Sequence, residues 1–421
     1  MPDQTPDGAA RASALGRRNP QPGFVVRRRP AFRFRPATVT AVLALLAVLT
    51  VVLPALPPAA DAADPTSCSG VFRIDQSLQN GGRWQMCWEL RGLEGVVLHD
   101  VTYTPPGAAP VEVLAEASVA QIHVPYDDGQ YRFHDVSDYG LGNYVNDLQP
   151  GDCPEGSLLT LGTVHVLCQQ VTGSGYRFKS YAEQAQGTTL SLFSVSHIGA
   201  YNYVVAWSFD DDGTIRPEIG ATGQLQRFGG TRGTGWYVGA RGFAVAHMHN
   251  YYWRLDFDIN GADDDRVEEL AASASSGRQS FTNTRTAFPS EVARRVRPGA
   301  FRSWRVLDGT TRNAAEHPIS YELRPETDSI FRGPNYEPFT QNEFYVTADE
   351  DCERFASHNP NLGGTCGSNL AEFVNGETLV GADLVVWYGT SFRHLPRQED
   401  VGHMGNHWSG FSIQPRDLTA N

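Results

Sequence analysis

VVAWSFDDDGTIRPEIGATG, residues 204–223, holds two β-rich runs around Asp210-Asp211-Asp212-Gly213. An acidic, glycine-ended turn between two such runs predicts a β-hairpin. The same pattern recurs on both sides. Gly95–Tyr103 (GVVLHDVTY), Leu190–His197 (LSLFSVSH), Tyr203–Phe209 (YVVAWSF), Trp236–Ala246 and Ala382–Trp387 (ADLVVW) all read as strands. Turn pairs such as Asn260-Gly261 and Asn375-Gly376 separate them. Helical patterning is scarce, and Asp265–Ala274 (DRVEELAASA) is one short helix candidate. Neither an internal repeat nor a Pro/Gly/Ser linker interrupts this part. It predicts one large, mainly β, antiparallel domain over residues 63–421 with few short helices.

Composition sets the outer limits. Of 421 residues, 41% are hydrophobic and 11% aromatic, which excludes a wholly disordered chain. The formal charge of −13 argues against nucleic acid as the main partner. Residues 1–62 differ from the rest. Arginines crowd the first 36 residues, an apolar run follows from about Ala37 to Leu56, and Ala60-Asp61-Ala62 ends the segment. That order predicts a signal peptide, with an uncleaved membrane anchor as the alternative, since ~18–20 apolar residues span a bilayer. Either way the remainder lies outside the cytoplasm. All six cysteines follow this segment, an even number that predicts disulfides in an exported protein. Adjacent pairing is the simplest scheme: Cys68 with Cys87, Cys153 with Cys168, Cys352 with Cys366. The absence of C-x-x-C argues against a zinc ribbon or a thioredoxin-like site.

Four short segments offer chemistry. His247-Met248-His249 sits in an apparent strand, AVAHMHNYYWRLDFDING. Residues i and i+2 of a strand share a face, so both imidazoles can reach one ion, and imidazole suits Cu, Zn, Fe or Ni. A third ligand must come from elsewhere. Asp256-Phe257-Asp258 offers two carboxylates and an intervening carbonyl to a hard cation such as Ca²⁺, or else forms an exposed acidic edge. Asp135 in FHDVSDYGLG alone reads as a turn residue, and Tyr201 in SHIGAYNYVVAW alone reads as core.

Their order along the chain is more specific. LEGVVLHDVTY (93–103), AEASVAQIHVPY (115–126), FHDVSDYGLG (133–142), DGTIRPEIGATGQL, HMHNYYWRLDFDING, ISYELRP (319–325), NEFYVTADED (342–351) and DLVVWYGTSFRHLPRQED (383–400) together resemble the catalytic domain of the topaquinone-dependent copper amine oxidases. The resemblance implies a large antiparallel β-sandwich and a homodimer, and with the signal segment the expected protein is secreted. It implies His247, His249 and His394 as copper ligands, and Tyr201 as the tyrosine converted to topaquinone. It makes Asp135 the catalytic base, Tyr126 a cofactor hydrogen-bond partner and Phe133 an aromatic gate. Asp256, the Phe257 carbonyl, Asp258, Asp383 and the Leu384 carbonyl match a structural calcium site. Cys153 and Cys168 fall at a disulfide near the active site, and Met404 follows His394 at the family's spacing. The chemistry implied is oxidation of a small primary amine by O₂ to an aldehyde, with ammonia and hydrogen peroxide released. The substrates are the amine and O₂. Nucleic acid is not a partner, and after signal cleavage neither is a membrane.

One segment departs from the pattern. The family's T-x-x-N-Y-(D/E)-Y stands here as His197-Ile198-Gly199-Ala200-Tyr201-Asn202-Tyr203. Both tyrosines remain, while Ala200 removes a polar side chain beside the precursor ring. His197 is either an added ligand or base near the copper, or points away. Two further functions stay open for this scaffold. One is a copper oxidase or oxygenase with Tyr201 unmodified or differently modified. The other is a non-catalytic extracellular copper-binding protein.

Overall fold

The computed structural model describes residues 67–419, apart from 130–131, 227–232, 234, 263, 276, 278–279, 327–328 and 361–365. The signal segment expected over residues 1–62 lies outside the described residues. Those described belong to one compact unit, Ala63–Asn421.

The hairpin at residues 204–223 forms as expected. Tyr201–Asp210 pairs antiparallel with Ile215–Gly223, and the turn closes where the Gly213 amide donates to the Asp210 carbonyl at 3.1 Å. Gly213 has φ 92°, and a Cβ there would stand 2.7 Å from the Tyr103 ring, so only glycine fits. Alternation then sorts the faces. Tyr201, Tyr203, Val205, Trp207 and Phe209 are buried, with half-buried residues between them.

Two antiparallel sheets, counted among the described residues, carry the domain. The first runs Arg73–Ser77, Arg83–Arg91, Gly95–Thr104, Val111–Pro125, His247–Phe257, Leu384–His394, Phe344–Ala348, Val292–Arg294, with Arg132–His134 added beside Val111–Pro125. The second runs Phe281–Ala287, Asp265–Ala274, Ser303–Arg312, Pro318–Pro325, Met404–Arg416, Ile215–Gly223, Tyr201–Asp210, Gln184–Ile198, Val164–Lys179, Gly156–Leu161. Their inner faces share one apolar core. Trp207 of the second sheet meets Trp253 of the first edge-on, ring centroids 5.0 Å apart, and the Trp84 indole N–H donates across to the Asp210 carbonyl at 2.8 Å. The fold is thus the expected β-sandwich, with short α-helices at Asp135–Asp138 and Leu370–Phe373.

Two local expectations fail. Asp265–Ala274 is a strand, paired on one side with Ser303–Arg312 and on the other with Phe281–Ala287. Its helix-forming Glu, Leu and Ala residues yield to two ladders and to burial of Val267 and Asp265. Trp236–Ala246 is not one strand. Only Trp236–Tyr237 and Phe243–Ala244 pair, around a turn with Gly239 at φ 68° and Gly242 at φ 87°.

The three disulfides are Cys68–Cys87, Cys153–Cys168 and Cys352–Cys366, the adjacent scheme. Cys153 and Cys168 sit in a small satellite core with Leu148, and the bond ties the loop at Cys153 to the strand Val164–Lys179 that holds Cys168. Closing a loop of this size restricts the unfolded chain by about 3 kcal/mol. The Cys153→Ser/Cys168→Ser pair is therefore expected to lose about that much in denaturant unfolding, without losing the sandwich.

Candidate metal centre

The strand His247–Phe257 is central in its sheet, with Val111–Pro125 on one side and Leu384–His394 on the other. Register sets His247 directly opposite His394, and His249 follows on the same face. All three histidines are buried. The opposite sheet lowers Tyr201 onto them. Its hydroxyl oxygen lies 2.6 Å from His247 Nε2 and 2.6 Å from His394 Nδ1.

The outer nitrogens fix the protons. His247 Nδ1 lies 3.1 Å from the Val245 carbonyl, so it carries hydrogen and Nε2 carries a lone pair. His394 Nε2 faces Asp400 Oδ2 at 3.4 Å, so Nδ1 is the lone-pair nitrogen. Tyr203 gives its single hydroxyl proton to Asp135 Oδ2 at 2.7 Å. His249 Nδ1, 3.2 Å from the Tyr203 hydroxyl oxygen, must donate to it. That leaves His249 Nε2 as a lone pair, buried and without a hydrogen-bond partner. Two inward nitrogen lone pairs, on His247 and His394, therefore share the one proton of Tyr201, and the third, on His249, has none. Such a donor set fits a cation, with each imidazole oriented by an outer partner as metal-bound histidines are. Burial keeps the rings neutral. It pushes His247 down to about 3 and His249 well below the usual imidazole range. His394 is lowered for the same reason, against the pull of Asp400. Neutral imidazole is the ligating form, and three of them suit copper.

A cavity of about 140 Å³ opens beside the Tyr201 ring, lined by Tyr126, Phe133, Asp135, Tyr139 and Tyr203 among others. Tyr126 stacks on His247 at 4.7 Å, and Phe133 stands edge-on to Tyr126 at 5.8 Å. Asp135 is buried at the start of the short helix. Burial pushes its carboxyl up to about 7, opposed by the Tyr203 hydrogen bond and aided by the Asp138 charge. A carboxyl so placed can take and release a proton near neutral pH.

His197 does not join this group. It is exposed on the outer face of its strand, with Nδ1 3.0 Å from Asn202 Oδ1, so of the two expectations for it the outward one describes the structure. Ala200 is half-buried against the core. Met404 is buried, and its carbonyl accepts from Thr222 at 2.6 Å. Sequence reasoning missed Tyr203 and Asp400. Tyr203 shares the inner face of Tyr201 two residues on, which was signal enough. Asp400 lies in RQED, and nothing local marks it as the partner of His394.

At the far end of the same strands, Phe257 pairs with Leu384 in register, and Asp256 and Asp383 flank them. Asp256 Oδ1 and Asp383 Oδ1 are buried without hydrogen-bond partners. Burial, then the neighbouring Asp349 and Asp383, push Asp256 up to about 8 against the charge of Arg254. Burial, then Asp349 and Asp258, push Asp383 up to about 6. Such mutual repulsion between oxygens is what a hard cation relieves.

Comparisons with known proteins agree with this geometry. Residues 74–421 match the family described as "Copper amine oxidase, enzyme domain". Primary amine oxidase 1 of Arabidopsis thaliana is 25% identical over 364 residues, covering 73% of this chain and 56% of that protein. Histamine oxidase of Arthrobacter globiformis is 28% identical, covering 78% and 54%. Among solved structures, an Aspergillus nidulans amine oxidase has a TM-score of 0.69 at 22% identity, covering 88% of this chain and 56% of that one. A copper-containing benzylamine oxidase from Hansenula polymorpha has a TM-score of 0.69 at 18% identity, covering 87% and 63%. The chain spans about half the length of the curated relatives it matches. With a buried three-imidazole donor set over a tyrosine, and with the match running from residue 74 to the last residue, the chain belongs to the copper amine oxidase family.

Proposed function

We propose that the domain oxidises small primary amines: RCH₂NH₂ + O₂ + H₂O gives RCHO, NH₃ and H₂O₂. His247 Nε2, His249 Nε2 and His394 Nδ1 hold copper, and Tyr201 is the precursor of a topaquinone. When formed, that pair supplies an electron sink for the amine and a route for the electrons to O₂. The observation that carries this reading is the set of three buried inward lone pairs beside Tyr201, two sharing its hydroxyl proton and the third, His249 Nε2, with no hydrogen-bond partner.

The chain's own residues do the rest. Val245, Tyr203 and Asp400 hold the three imidazoles in the ligating tautomer. Asp135, steadied at Oδ2 by Tyr203, takes the proton from the amine-bearing carbon. Phe133, Tyr126 and Tyr139 present aromatic walls that favour a small, largely apolar amine and keep bulk water from Asp135. Aerobic copper loading of the purified protein tests the proposal. A visible band and a redox-cycling quinone stain are expected, followed by aldehyde and peroxide in equal amounts from a primary amine.

The changed motif favours a second reading, in which Tyr201 stays a phenol beside copper, since Ala200 brings no polar group to the ring. An unaltered Tyr201 mass after aerobic copper loading would establish it.

Calcium at Asp256, Asp258 and Asp383, with the Phe257 and Leu384 carbonyls, belongs to the same proposal. Saturating Ca²⁺ is expected to raise Tm by about 5 °C, and Asp383→Asn to remove most of that rise in a thermal scan. Three disulfides fit secretion. Sedimentation of the full chain tests the proposed homodimer.

A further inference from the structure

A second histidine–carboxylate cluster lies behind the amine cavity. One donor atom each from His123, His134 and Glu337 falls within 4.8 Å of the others, and both histidines are buried. Two imidazoles and a carboxylate invite a metal. The hydrogen bonds decide otherwise. The Asn250 amide is pinned by Phe331, whose N–H donates to Oδ1 at 2.9 Å and whose carbonyl accepts from Nδ2 at 3.0 Å. That orientation aims the other Nδ2 hydrogen at His123 Nδ1, 3.3 Å away. His123 Nδ1 is then the lone-pair nitrogen, and Nε2 carries hydrogen, donated to Glu337 Oε2 at 3.1 Å. A metal on Nε2 would require the reverse tautomer, with N–H facing N–H.

The other Glu337 oxygen faces two more N–H groups. Arg132 Nε lies 3.3 Å from Oε1 and His134 Nε2 3.7 Å from it. His134 Nδ1 is 2.7 Å from the Ser357 hydroxyl, and the Glu337 carboxylate on the Nε2 side favours the tautomer with its proton there, in which Ser357 donates to Nδ1. Burial would raise the Glu337 carboxyl, but the His123 hydrogen bond, the nearby His134 imidazole and the Arg132 charge hold it down to about 2. The cluster is a half-buried anion ringed by N–H groups.

The donors have a common address. Arg132 and His134 are the two ends of the three-residue strand Arg132–His134, and His123 is the register partner of His134. Phe133 lies between them, and strand alternation turns it to the opposite face, where it lines the amine cavity beside Asp135. A three-residue strand has too few ladder bonds to hold itself. We infer that Glu337 is a positioning residue: by gripping Arg132 and His134 it sets where Phe133 and Asp135 stand in the cavity. The catalytic consequence rests on the oxidase proposal; the structural one does not.

Copper-loaded full chain and its Glu337→Gln variant test this, with Arg132→Gln as a milder second variant should the first not fold. Hydrogen exchange is expected to quicken at least about tenfold over residues 132–139 and to stay unchanged over His247–Phe257. Copper content and the visible band are expected to persist, while kcat/KM for amine falls about 10- to 100-fold, as for a misplaced reacting group. The acid limb of the pH profile is expected to move lower as Asp135 loses burial. The groups facing Asp135 are Tyr203, Asp138, Tyr126, Tyr139 and Tyr251, and neither variant touches them. Unchanged exchange over 132–139 in both variants would overturn the inference. So would one zinc ion per chain, added to the copper-loaded protein and lost with Glu337→Gln, which would make the cluster a metal site. Quickened exchange in a protein whose wild type oxidises no amine would uphold the clamp and refute the oxidase proposal.

Discussion

Tyr201→Phe is expected to yield a protein that binds copper and does nothing with amines. The change removes a single oxygen, and that oxygen is the atom facing His247 Nε2 and His394 Nδ1. Without it two buried lone pairs lose their shared proton, a loss of about 1–3 kcal/mol in the copper-free protein. Copper satisfies both nitrogens and His249 Nε2, so the metal-loaded variant is expected to regain that stability. Without a phenol to oxidise, there is neither a visible band nor a quinone stain. Amine-dependent peroxide is expected to fall at least about 10⁶-fold, the lower end of enzymatic accelerations, because the cofactor carries the difficult step. The checks are a spectrum, a copper count and a peroxide assay on the same sample. A band that survives the substitution would move the precursor to another residue.

Asp135→Asn should separate activity from stability in opposite directions. The asparagine Oδ1 still accepts from Tyr203, so the pocket keeps its shape, but no base remains. A fall of about 10²–10⁴ in kcat/KM is expected, with copper and quinone intact. The wild type should lose activity as pH drops below about 7, the value to which burial lifts this carboxyl. Stability follows the reverse sign. The folded-state pKa is raised above its usual 3.8, so this group's contribution is fully present at pH below that value. It is lost as pH climbs through about 7 and the buried carboxylate must ionise. Asn carries no such penalty, and the variant is expected to be more stable than wild type at pH 8 by on the order of 2–4 kcal/mol. A variant that is both inactive and less stable at pH 8 would show that Asp135 serves structure rather than proton transfer.

The strands and the metal centre could be read from the sequence for different reasons. Period-two burial with a glycine turn announces itself in residues 204–223, and H-x-H on a strand places two imidazoles on one face before any coordinates exist. Asp265–Ala274 was misread because its Glu, Leu and Ala content favours a helix in isolation, whereas the ladder partners that overrule it, Ser303–Arg312 and Phe281–Ala287, are supplied by distant chain. Trp236–Ala246 was misread because its two glycines act as turns only in their particular φ. The outer partners of the histidines were mostly illegible. Val245 acts through a carbonyl that every residue has, Asp400 through a contact formed only once its loop folds back. Glu337 was invisible for the same reason, being 214 residues from His123.

The sheet order also sets a timetable. Tyr201 meets His247 46 residues later in the chain and His394 193 residues later. Contacts of such separation close late, after local hairpins. During synthesis the tyrosine emerges long before its last nitrogen partner exists, and Leu384–His394 must dock beside His247–Phe257 before the third donor arrives. On the proposed copper site, metal capture is therefore coupled to arrival of the strand Leu384–His394: a fragment ending short of residue 394 carries H-x-H, yet it lacks the third donor of the set proposed to commit its tyrosine to irreversible oxidation.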